Sequence, residues 1–184
     1  MIYNLSLKAA FLLVGIGLVV SHGFALARPA VTQAWLKRFP RSPFWGTVLI
    51  GAATAWFWWL AATMDLHEFS NWKKALKIGT PIAGFLAWRY VPEFLAVRSL
   101  GMIVLLGAEA LLEAAWMREE TSRLFLVSLV YAWITAALFW VGMPYTLRDQ
   151  IAWVTASRSR WTGTAVAGIL YGVLLIALTA TLRR

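Results

Sequence analysis

Apart from Arg98, Glu109 and Glu113, the charged residues in this chain fall in short intervals between long apolar runs, and within the runs there is neither strict alternation nor a narrow stripe. A helix that is apolar all round belongs in a large core or in a bilayer. The runs cover residues 9–27, 44–64, 97–116, 124–143 and 163–182. Each is close to the roughly 20 residues that cross a hydrocarbon core. The first run follows Lys8 and ends on the small-x-small triplet Ala25, Leu26, Ala27, which is also the outline of a secretory signal. It is read here as the first transmembrane helix.

A sixth region, 78–91, is apolar but short, carries Pro81 and Arg89, and runs straight into Pro92 and Glu93. Its pattern fits either a crossing helix or a re-entrant segment. Two further stretches have one apolar and one polar face. In 30–39, Ala30, Val31, Ala34, Trp35 and Leu36 oppose Gln33, Lys37 and Arg38; in 145–157, Leu147, Ile151, Trp153 and Val154 oppose Arg148, Asp149 and Gln150. Such short amphipathic helices lie in the head-group plane. The expected fold is therefore all-α, a polytopic integral membrane helix bundle forming one domain over 1–184. It has five transmembrane helices, six if 78–91 crosses, with interfacial amphipathic helices beside them.

Composition narrows the class further. Hydrophobic residues make up 61% of the 184 and charged residues 14%, against about 45–50% and about 25% in soluble domains. An ordinary water-soluble enzyme is excluded on that ground. Without cysteine there are no disulfides and no thiolate metal sites. No HExxH, nucleophile elbow or phosphate-binding glycine loop is present, so the chain is expected not to be an enzyme.

The formal charge is +9. Its basic residues fall in loops beside the apolar runs, where anionic lipids are the natural partners, and no arginine-rich arm or aromatic RNA-reading motif points to nucleic acid. Counted by side for six crossings, Arg28, Lys37, Arg38, Arg41, Arg89, Arg98, Arg148, Arg158 and Arg160 share one side, and eight basic residues share the other. That count does not decide orientation. The acid-free interval from Arg28 to Arg41 points to a cytoplasmic first loop, in a membrane of the bacterial inner (cytoplasmic) type. Ser157 to Arg160 reads as an exposed basic loop.

The chain is tryptophan-rich, and Trp35, Trp45, Trp72, Trp88, Trp116, Trp140, Trp153 and Trp161 fall near expected span ends, where an indole suits the lipid–water boundary. Trp56, Phe57, Trp58 and Trp59 lie inside the second span and would face lipid, a neighbouring subunit or a hydrophobic cofactor.

Chemistry-bearing residues are few. Glu109 and Glu113 are one turn apart on one helix face, and intramembrane acids are expensive and therefore functional candidates. They would handle a proton or cation, or pair with a basic group on another helix. Arg89 and Arg98 are candidates for that pairing, although Arg98 is about 16 Å from Glu109 along a shared straight helix. His22 is a candidate ligand for a chlorophyll-type pigment, and no metal site is expected. Thr164, Gly168 and Gly172 form a small-xxx-small ridge for helix packing, with thin faces also at Gly15, Gly17, Gly51 and Ala55.

These features predict a non-catalytic accessory or scaffold subunit of a larger membrane complex, with other membrane subunits and lipid as partners. A small homo-oligomeric proton or cation transporter using Glu109 and Glu113 is the alternative. A pigment- or quinone-associated subunit is a further one.

Overall fold

The computed structural model describes residues 3–65 and 67–181. The side chains of 67–69, His67 among them, and the terminal Arg183 and Arg184 lie outside the described residues.

Eight α-helices account for the architecture, with no strand among the described residues: α1 Leu7–Ala27, α2 Pro29–Arg38, α3 Pro43–Thr63, α4 Lys73–Tyr90, α5 Leu95–Ala115, α6 Arg123–Gly142, α7 Tyr145–Thr155 and α8 Arg158–Leu178. Three of the long helices start at a serine. Ser6, Ser42 and Ser157 accept hydrogen bonds on Oγ from the backbone N–H groups of Ala9, Trp45 and Arg160, at 3.2, 3.3 and 3.2 Å. Each satisfies one of the donors that a helix start leaves without a partner. Pro29 and Pro43 begin α2 and α3, where the missing N–H costs nothing.

Five helices, α1, α3, α5, α6 and an α8 continuing to Thr181, are long and apolar enough to cross a membrane. The remaining long helix, α4, carries Lys73, Lys74, Lys77 and Arg89 near its ends. It begins five residues before the stretch the apolar pattern marked, and it continues through Pro81.

Packing shows how the helix that contains 78–91 lies against its neighbours. Gly46 of α3 meets Leu95 and Ala96 of α5, while Gly107 of α5 meets Trp56 of α3, so α3 and α5 run parallel. The helix between them must return the chain to its starting level. Along α4, Lys77 O accepts from Trp58 Nε1 (3.1 Å), Gly84 faces Thr54, and Trp88 Nε1 donates to Thr47 Oγ1 (3.0 Å). Thus α4 lies antiparallel to α3 over nearly its whole length.

The return from α4 to α5 is tight. Pro92 ends the helix, and Phe94 takes a left-handed conformation at φ 55° before α5 begins. The Arg41 guanidinium lies 5.7 Å from the Phe94 ring centroid, bracing the turn from the α3 side.

The core sits between α1, α5, α6 and α8. Phe11, Leu126, Val130 and Leu175 are fully buried there, with Ala10, Ala108, Ala114 and Ala115 around them. The α5–α6 seam is antiparallel: Gly101 fits against Ala137 and Val141, and Arg123 donates to Ala115 O at 3.1 Å. The α1–α8 seam is antiparallel too, with Gly15 on Gly172 and Trp161 Nε1 donating to Ala25 O at 3.2 Å.

This places α2 and α7, together with the start of α8, at one end of the bundle, and the N-terminal segment, the end of α3 and the end of α5 at the other. Both stretches read as amphipathic are helical, and α2 and α7 pack on each other. One expectation is corrected: Ser157 to Arg160 is no loop, because Ser157 caps α8 and Arg158 and Arg160 form its first turn.

Candidate functional site

Among the long helices, α4 is the least covered. It has no buried residue, and its apolar side chains stay open, Ile78 at 65% and Phe85 at 59% exposure. Its packing is against α3, leaving a groove between α4 and α5 whose floor is α3. The groove has a volume of about 570 Å³ and is lined by Ala53, Thr54, Gly79, Ala83, Leu105 and Leu106, among others. Small residues on α4 make it wide: a side chain at Gly79 would meet nothing within 4 Å.

Glu109 is the one ionisable residue lining this groove. It is exposed, lies six residues before the end of α5, and makes no hydrogen bond or ion pair among the described residues. Six residues correspond to about 9 Å of helix rise. The carboxylate therefore sits about two turns inside the opposite end from α2 and α7. Glu113, one turn further on, is half-buried and accepts a hydrogen bond on Oε2 from the Tyr3 backbone N–H at 3.3 Å.

Tyr3 was invisible as a site residue in the sequence, where it precedes the first apolar run with no motif around it. In the fold it ties three elements together. Its hydroxyl accepts from Trp56 Nε1 at 2.8 Å, and its ring packs edge-on against Trp56 and tilted against Trp59. Burial raises the Tyr3 pKa above the ordinary 10.0; the Trp56 hydrogen bond opposes this, and the charges of Glu109 and Glu113 add to it. Part of the aromatic cluster in α3 thus anchors the N-terminal segment, while Phe57 and Trp58 remain open at 44% and 45% exposure.

The basic candidates lie elsewhere. Arg98 begins α5, at the end remote from the glutamates, and its Nη1 donates to Val141 O at 2.6 Å. It thereby satisfies a carbonyl in the last turn of α6, which has no helical partner of its own. Arg89 is exposed in the last turn of α4, over the Tyr90 ring at 5.6 Å. Neither arginine is at the carboxylate end. Among the described residues, no group of three or more His, Asp or Glu is placed to hold a metal ion.

His22 is half-buried at the α1–α8 seam. Its Nδ1 is 2.9 Å from Leu18 O, a carbonyl one turn back along α1. The ring occupies the space that a side chain at Gly168 would need, so Nε2 faces α8. The ridge Thr164, Gly168, Gly172 is therefore spent inside the chain, on α1: Gly168 admits the imidazole, and a Cβ on Gly172 would stand 2.7 Å from Gly15 O. Thr164 Oγ1 donates back to Arg160 O in its own helix. Gly17 and Gly51 face open space.

The chain matches no protein-family model, and comparison with curated proteins and with solved structures finds no similar one. What the molecule does has to be argued from its geometry.

Proposed function

We propose that the chain is an integral membrane protein crossing the bilayer six times, and that it serves as a non-catalytic subunit of a larger membrane complex. The groove between α4 and α5 receives a transmembrane helix of another subunit, one bearing a Lys or Arg opposite Glu109. The observation that carries this reading is the pairing of an open, apolar, helix-wide groove with one carboxylate. A carboxylate facing lipid costs roughly 2.5–3.5 kcal/mol on insertion scales. A cationic partner group removes that cost, and an apolar helix covers α4.

The parallel α3 and α5 support six crossings, since α4 returns the chain between them. Its four basic residues lie near its ends, where long side chains reach the head-group layer. The exposed residues of the bundle are largely apolar, including Leu13, Val20, Phe24, Leu138 and Leu170. That is the surface of a lipid-facing protein rather than of a water-facing one.

The test is extraction of the tagged full chain in a mild detergent and native mass spectrometry of what stays attached. Recovery with different polypeptides, reduced by Glu109→Gln and by Gly79→Leu, supports the subunit reading. Recovery alone, or with partners indifferent to both substitutions, overturns the groove as their seat. Proton or cation flux into vesicles reconstituted with the chain alone, abolished by Glu109→Gln, would move the carboxylate to transport.

A further inference from the structure

The end of the molecule bearing α2 and α7 differs from the other in charge. Among the described residues, nine basic residues stand there with two acids, Glu93 and Asp149, while Asp65, Glu109, Glu113, Glu119 and Glu120 fall toward the carboxylate end. Asp149 is already taken by Arg148, with Nη2 to Oδ1 at 2.8 Å. Three of the remaining basic residues stand where α1 hands over to α2 and where α8 begins. Arg28 caps both α1 and α2, Arg158 and Arg160 occupy the first turn of α8, and Trp161 joins the two regions through its bond to Ala25 O.

Beneath α2 and α7 lies a pocket of about 320 Å³ between α1 and α8. Its walls are largely apolar, with Ala25, Trp35, Leu36, Val154, Trp161 and Ala165 among them. Arg28 is three residues from Ala25, and Arg160 is next to Trp161, so both basic positions adjoin the pocket walls in the chain. The Arg160 guanidinium is held 4.8 Å from the Trp153 ring centroid, with Nη1 3.5 Å from Trp153 O. A cation so placed keeps donors for an incoming anion. The first turn of α8 contains no acid to offset its two arginines, although helix N-termini favour negative charge.

Two chemistries therefore lie side by side along the chain: a largely apolar slot and three arginine positions next to its walls, with no acid in the first turn of α8 to offset Arg158 and Arg160. We propose that this is a binding site for an anionic phospholipid, its phosphate at Arg28, Arg158 and Arg160 and part of an acyl chain in the pocket beneath α2 and α7. An acidic protein segment would answer the charge and leave the slot unused; a zwitterionic lipid would fill the slot and leave the charge unanswered. The inference rests on the membrane reading above, but not on any partner subunit. It also orients the molecule, because anionic lipid is concentrated in the cytoplasmic leaflet.

The experiment uses the full chain purified in a neutral detergent, titrated with phosphatidylglycerol or phosphatidylcholine of identical acyl chains and read by native mass spectrometry. Phosphatidylglycerol is expected to be retained more tightly, with each Arg→Gln change lowering its affinity about fivefold. The Arg158→Gln, Arg160→Gln double variant should lower the preference about 25-fold, Arg28→Gln should weaken it independently, and Lys73→Gln with Lys74→Gln should leave it intact. Filling the slot with Val154→Trp should reduce retention of both lipids. Equal retention of the two lipids by the unaltered chain overturns the site. So does equal sensitivity to the lysine variants, or arginine-dependent binding of a glutamate peptide without lipid preference. An alkaline carbonate wash separates the two levels of failure. Release of the chain from membranes overturns the membrane reading itself; retention without lipid preference overturns the lipid site alone.

Discussion

Between α1 and α8, Gly15 and Gly172 bring two backbones together, and Gly168 makes room for the His22 ring. On α4, Gly84 fits closely against Thr54 of α3, but Gly79 faces open space. The same residue type has opposite consequences in the two regions. Where a second helix fills the notch, a glycine makes a seam; where none does, it widens a groove. A small-residue pattern therefore reports how closely a helix can be approached, not whether anything in the chain approaches it. Dispersion explains the difference in stability: each atom in the seam has neighbours on all sides, and each atom lining the groove lacks them on one.

Substitution can break the seam and should spare the groove. Gly172→Leu is expected to have the largest effect, because even a Cβ there would lie 2.7 Å from Gly15 O and 2.9 Å from Val19 Cγ2. Over-packing costs about 1–3 kcal/mol, and more where only backbone can yield. Loss of folded, monodisperse protein in detergent, or a large fall in thermal midpoint, is the readout. Next comes Arg98→Met, which removes the donor to Val141 O at the α5–α6 seam. A hydrogen bond to a charged group is worth about 1.5–3 kcal/mol, and thermal denaturation should show a corresponding drop.

Smaller again is Tyr3→Phe. It keeps the ring against Trp56 and Trp59 but leaves Trp56 Nε1 without its acceptor. The expected loss is about 0.5–1.5 kcal/mol, with faster exchange of backbone amides before α1. Gly79→Leu sharpens the comparison from the other side: facing open space, it should change stability by no more than about 0.5 kcal/mol while blocking retention of a partner in the groove. Equal destabilisation by Gly79→Leu and Gly172→Leu would remove the distinction altogether.

The least effect belongs to pH. The folded chain holds the Tyr3 proton more tightly than the unfolded chain, through burial first, then the charges of Glu109 and Glu113, against the Trp56 hydrogen bond. Its contribution is complete below pH 10 and is lost as pH rises through the folded-state pKa. A slight fall in thermal midpoint above pH 10 should be seen in the unaltered chain and be absent from the Tyr3→Phe variant.

Much of this was legible along the chain. The five apolar helices begin within five residues of the runs that announce them, and Ser6, Ser42 and Ser157 mark starts by a local bond three residues long. The amphipathic stretches around Trp35 and Trp153 are helices as their spacing suggested. Less legible was α4, since its basic start hid five residues of helix and Pro81 suggested a break. At Ser157 to Arg160 the serine signal was present, but the two arginines were read as loop chemistry.

By itself the sequence determined which segments are helical and how apolar they are, because hydrogen bonding, capping and side-chain polarity act within a few residues. Only the tertiary structure decided which faces meet. The rotation of each helix about its axis, set by contacts far apart in sequence, put Gly172 on Gly15, turned Glu109 into a groove and returned Arg98 to the end of α6. The direction of α4 was likewise fixed by its fit to Thr47, Thr54 and Trp58 of α3. An apolar residue is equally content against lipid, a neighbouring helix or a partner, so polarity along the chain cannot choose among them; shape complementarity between distant segments does.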